Sequence, residues 1–122
     1  RYSLPLDRYA FVIQKKARSF REALLQASAE GKLDIYLSSF LSLLERRLAK
    51  GIRNKDISLC SNFGFLGEEA VEFDFGRYVQ STDFLKPYFQ TLEKNRFIAQ
   101  LRAFLQTHLP TEVEVLERVI AK

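Results

Sequence analysis

Apolar residues fall at helical spacing on both sides of one short alternating stretch, and that interruption limits the folds open to this chain. Phe20, Ala23, Leu24 and Ala27 stand at i, i+3, i+4 and i+7, one face of a 3.6-residue helix. Ser19 precedes them and Glu22 lies three residues on, a capping-box pattern that predicts a helix from Ser19 to near Gly31. Leu37, Phe40, Leu41, Leu44 and Leu48 repeat the spacing. They predict a second helix from Asp34 to about Lys50. Its last turn carries Arg46, Arg47 and Lys50, and Gly51 stops it. Cations at a helix C-terminus complement the dipole and aid solubility, and that is the simplest role for this basic cluster; attraction of phosphate is the functional alternative.

Residues 52–62 are polar and aperiodic. Phe63-Gly64-Phe65-Leu66, a turn at Gly67-Glu68-Glu69, and Ala70 to Asp74 then read as a β-hairpin, with Val71 and Phe73 alternating against Ala70, Glu72 and Asp74. Helical spacing resumes over 83–107 through Phe84, Tyr88, Leu92, Phe97, Leu101, Phe104 and Leu105. Pro87 suits a first turn, and Pro110-Thr111 opens a last helix through Val113, Leu116, Val119 and Ile120. Tyr9 to Ile13 is a short apolar run that reads as a strand or a helix start. The fold class that follows is α+β, mainly α, with about four to five helices and one small hairpin; an all-α bundle is the alternative.

The chain has 122 residues, 47% hydrophobic and 28% charged, which fits one globular domain over 1–122. Eleven Phe and five Tyr supply the core. The net charge of +4 is compatible with a phosphate-bearing ligand or an acidic partner. Acidic residues are interspersed and no nucleic-acid-binding signature appears, which argues against nucleic acid. Cys60 is alone, so no internal disulfide can form, and no apolar run is long enough to span a membrane. With no signal peptide legible at Arg1 to Pro5, a cytoplasmic setting is expected. Arg1 is not Met, so a fragment boundary is expected there.

The chemistry-bearing residues cluster around the hairpin. Gly51-Ile52-Arg53-Asn54-Lys55-Asp56 precedes it, Asn62 stands at its start and Asp74-Phe75-Gly76 at its end. Two loop carboxylates and an amide in that order suit a magnesium-phosphate site. One Asp can orient or deprotonate a hydroxyl, while an Asn and a second Asp can offer hard oxygen ligands to Mg²⁺. A purely structural reading also exists for each. Asp56 can cap a helix or form an Asx turn, and Asp74 can close a strand beside Gly76.

Helix, polar loop with Asp, hairpin and Asp-Phe-Gly in this order resemble the C-terminal lobe of the protein-kinase-like fold, including the aminoglycoside-phosphotransferase type. Asn54-Lys55-Asp56 looks like the catalytic-loop His-Arg-Asp, and Asp74-Phe75-Gly76 like the metal-binding motif. The similarity covers roughly residues 8–80, with Tyr9 to Gln14 similar to the strand that leads into the hinge. The resemblance implies Mg²⁺- and ATP-dependent transfer of a phosphoryl group to a hydroxyl, as in a bacterial-style kinase or small-molecule phosphotransferase. Asp56 would be the base, Asn62 and Asp74 the metal ligands, and Lys55 with Asn62 would contact the nucleotide side.

The pattern departs from the family in four respects. Asn62 lies six residues after Asp56, where the family spacing is five. Asn54 replaces the His. No Ala-Pro-Glu follows Asp74-Phe75-Gly76. No Gly-rich loop or phosphate-gripping strand Lys precedes the hinge. Without those gripping elements, the lobe is expected to work with an N-lobe outside these residues, or to be a pseudokinase-like module that binds a protein partner and catalyses nothing. His108 reads as a capping or surface residue and Cys60 as chemically idle. The aromatic stripe from Phe84 to Phe104 reads as core, or in part as an exposed interface.

Overall fold

The computed structural model describes residues 17–54, 58–73 and 78–122. The fold is α+β and mainly α. Among the described residues there are five α-helices, α1 (Phe20–Ala29), α2 (Leu33–Ala49), α3 (Leu59–Asn62), α4 (Pro87–His108) and α5 (Val113–Ala121). Five short strands accompany them, β1 (Arg18–Ser19), β2 (Ile52–Asn54), β3 (Phe63–Leu66), β4 (Glu69–Glu72) and β5 (Tyr78–Gln80). The run from Tyr9 to Ile13 lies outside the described residues.

The expected N-cap of α1 is present: Ser19 Oγ accepts the Glu22 N–H at 3.2 Å, satisfying one of the donors that a helix start leaves open. Gly51 closes the end of α2, as expected, with its N–H donating to the Leu48 carbonyl at 2.9 Å, and two side-chain amides join it there. Gly51 takes φ 69°, and Gln90 Nε2 donates to the Leu48 carbonyl at 2.8 Å. Gln80 Nε2 donates to the Lys50 carbonyl at 3.2 Å. Neutral amides from later elements therefore take carbonyls that α2 cannot bond itself.

The hairpin is present as β3 and β4, paired from Phe63↔Glu72 to Leu66↔Glu69. Strand β1 adds to its other edge, with Arg18 opposite Phe65. Arg18 also donates to the Gly67 carbonyl at 2.6 Å, fastening the hairpin tip. The inward face differs from the alternation expected: Ala70 and Glu72 are buried, while Val71 and Phe73 are half-buried. On that second face the Phe73 ring lies over Gly64, where any Cβ would meet Phe73 Cζ at 2.6 Å.

The polar stretch 52–62, which has no sequence periodicity, contains both β2 and α3. Strand β2 pairs antiparallel with β5, with Ile52 opposite Gln80 and Asn54 opposite Tyr78. The helix expected over 83–107 is divided. Thr82–Leu85 form a 3₁₀ turn, Lys86 is extended (φ −65°, ψ 137°), and α4 starts at Pro87. A residue before proline avoids the helical region, which accounts for the break.

The core is a chain of aromatic rings joining the helices to the sheet. Phe20 lies 5.6 Å from Phe40 and 5.5 Å from Phe104, and Phe63 lies 5.1 Å from Phe40 and 5.9 Å from Phe97. These distances are in the range where edge-on ring pairs attract. The stripe of α4 is only partly core: Phe97, Leu101 and Phe104 are buried, whereas Tyr88 and Leu92 are exposed. Among the described residues no helix is long and apolar enough to cross a membrane.

Candidate functional site

Asn62 ends α3 at the mouth of the hairpin, and its side chain is buried. Its N–H donates to the Ser58 carbonyl at 3.2 Å, and its carbonyl accepts the Phe73 N–H at 2.7 Å. The residue immediately before Asp74 in sequence is thus bonded to Asn62. Asp56, Lys55 and Asp74 lie outside the described residues. Their flanks do not: Asn54, before 55–57, is paired with Tyr78, after 74–77, across the β2–β5 ribbon. The segments carrying the two expected carboxylates are therefore joined to the fold at two paired positions, Asn54 with Tyr78 and Asn62 with Phe73.

Two buried charge clusters support this region. Arg47 Nη1 donates to Glu72 Oε2 at 2.6 Å, with both side chains almost fully buried. The Arg47 guanidinium also lies 5.0 Å from the centre of the Phe97 ring, a cation–π distance. Arg47 is thus no part of the solvated basic helix end expected from the sequence. It fastens β4 to α2 two residues before Asp74. Glu93, 1% exposed, stands between Arg53 of β2 and Arg96 of α4. It ties the strand that leads toward Asp56 to the longest of the described helices.

Both clusters escape sequence reasoning although a signal is present. Arg47 falls seven residues after Phe40 and three after Leu44, in the register of the α2 apolar stripe. Glu93 falls four before Phe97, in that of α4. A charged residue on a core register needs a partner, because an unpaired buried charge is costly. The partner itself cannot be read from the pattern.

His108 is exposed in the last turn of α4, with its ring 4.6 Å from that of Phe104. Cys60 is exposed on α3. Among the described residues no group of three or more His, Cys, Asp or Glu could hold a metal ion; of the expected ligands Asn62 and Asp74, Asn62 lies within the described residues. No protein-family profile, curated protein or solved structure matches the chain.

Proposed function

We propose that the chain is a kinase-like C-terminal lobe that takes part in Mg²⁺-dependent phosphoryl transfer from ATP to a hydroxyl. The observation that carries this reading is the pairing of Asn62 with Phe73 at 2.7 Å, together with the ribbon that joins Asn54 to Tyr78. A site of this kind needs a base and two oxygen ligands drawn from loops on either side of a hairpin. Asp56 would accept the hydroxyl proton, Asn62 and Asp74 would hold Mg²⁺, and Lys55 would balance phosphate charge. The phosphate-gripping lobe would come from residues outside these 122.

The test is a magnesium-dependent ATP titration followed by NMR, with Asp74→Asn beside the unmodified chain. Shifts centred on Asn62 and the flanks of the two loops, abolished in the variant, are the expected result. Shifts absent at millimolar nucleotide, or unchanged in Asp74→Asn, overturn the reading for this chain.

A second reading, a non-catalytic partner-binding module, draws on Leu85, Tyr88 and Leu92. They are 46%, 80% and 48% exposed; Tyr88 and Leu92 stand at i and i+4 on α4, and Leu85 ends the 3₁₀ turn before it. Apolar side chains so arranged suit contact with another protein. Under this reading Tyr88→Ser with Leu92→Ser abolishes partner capture, while Asp74→Asn leaves it intact.

A further inference from the structure

Arg53 and Arg96 come from different elements to the same carboxylate oxygen. Arg53 Nε lies 3.4 Å from Glu93 Oε1, and Arg96 Nη1 hydrogen-bonds that oxygen. Glu93 is buried, whereas the Arg53 and Arg96 side chains are 36% and 27% exposed. Among the described residues, one negative charge therefore holds two positive ones, and the excess positive charge borders solvent. Arg53 Nε and Glu93 Oε2 are also buried without a hydrogen-bond partner among the described residues. Buried polar atoms are normally satisfied; of these two, only Arg53 Nε is a donor that an anion can engage, whereas Glu93 Oε2 is an acceptor and bears on no anion.

The aromatic surroundings restrict Arg53 further. Its guanidinium lies 5.8 Å from the centre of Phe89, and Phe89 stacks on Phe84 with centroids 4.5 Å apart. An arginine held by a buried carboxylate and an aromatic face is oriented before any ligand arrives.

The geometry points to a binding site for a phosphate-class dianion on Arg53 and Arg96, with Glu93 as the residue that positions them. Each guanidinium presents a planar fork of N–H donors, of which Glu93 occupies only part. A tetrahedral dianion can engage forks that arrive from two directions. The ligand's charge would also offset the excess positive charge. The site is independent of the phosphotransfer reading, since it uses neither Asp56 nor Asp74 and needs no metal.

The experiment is an NMR titration of the full chain with inorganic phosphate, and separately with phenyl phosphate, in metal-free buffer. The arginine Nε–Hε signals provide the readout. Saturable shifts at Arg53 and Arg96 are expected, and Arg53→Lys and Arg96→Lys should each weaken binding by about tenfold, because charge is kept and the fork is lost. Arg46→Gln, at an exposed arginine of α2, should bind as the unmodified chain does. If Arg53→Lys fails to fold, Arg96→Lys decides the matter. Non-saturating shifts, equal loss in Arg46→Gln, or full affinity in a folded Lys variant overturns the proposal. Tighter binding of phenyl phosphate identifies an aryl monoester, and equal affinities identify the anion alone; either upholds the site. Asp74→Asn should bind phosphate unchanged, so failure here and failure of the phosphotransfer site are distinguishable.

Discussion

Arg47 and Glu72 form a 2.6 Å ion pair in the interior, and the cost of breaking it is set by what remains. Removing one partner takes a charged hydrogen bond from the buried charge that remains, a loss that for buried pairs typically costs about 3–5 kcal/mol, whereas replacing both with apolar residues is often close to neutral. Arg47→Ala and Glu72→Ala should each lower stability by that amount in urea denaturation, and Arg47→Met with Glu72→Leu should lower it far less. Gly51 makes a second prediction at this scale. Its φ is 69°, and a Cβ there would stand 2.8 Å from the Ser81 carbonyl oxygen. Gly31 has φ 70° with nothing within 4 Å. Gly31→Ala should therefore cost roughly 1–2 kcal/mol, the penalty for a left-handed L-residue. Gly51→Ala should cost distinctly more, since it adds a backbone collision. Thermal melts of the two variants provide the comparison.

Among the elements, α4 and α5 are clasped by Arg102, which donates to Glu117 through Nε at 2.8 Å and Nη2 at 3.0 Å. The hydrogen bonds from Arg102 hold the Glu117 carboxyl below its ordinary range. A depressed carboxyl pKa gives stability that is present above the unfolded-state value, about 4.3, and lost as pH falls through the folded-state value. Glu117→Gln should therefore narrow its stability gap to the unmodified chain as pH is lowered below about 4.3. Denaturation midpoints across the acid range, compared with neutral pH, would measure it. The elements also differ in how far sequence discloses them. Helices α1, α2 and α5 are legible because their apolar residues repeat at the helical period. Strands β2 and β5 are not, because each is too short to show alternation and the two lie far apart in sequence. The inward face of β4 defies its alternation because Glu72 is buried by Arg47, a pairing that only the tertiary structure supplies.

For the molecule as a whole, the aromatic chain through Phe20, Phe40, Phe63 and Phe97 joins helices to sheet. Phe40, fully buried and in ring contact with Phe20, Phe63 and Phe97, is its hub. Phe40→Ala should cost about 3–5 kcal/mol, a large part of the stability of a domain this size. Tyr88→Ala, at an exposed ring, should change stability by less than about 0.5 kcal/mol. Calorimetry on both variants separates the core from the exposed part of the stripe. Of the candidate site, the order of Asp56, Asn62 and Asp74 is legible in the chain, as is the hairpin between the latter two. The Arg47–Glu72 pair and the Arg53–Glu93–Arg96 cluster draw on α2, β4, β2 and α4, whose meeting no local pattern encodes.

The β2–β5 ribbon has a kinetic consequence. Pairing Ile52 with Gln80 closes a single loop that contains residues 55–57, the hairpin and residues 74–77. The entropy of loop closure must be met before such distant contacts reward it, and strands of three residues give little in return. The ribbon should then be among the last parts to lock during folding and among the first to open. In native-state hydrogen exchange its amides should open together, at a lower free energy than those of α2.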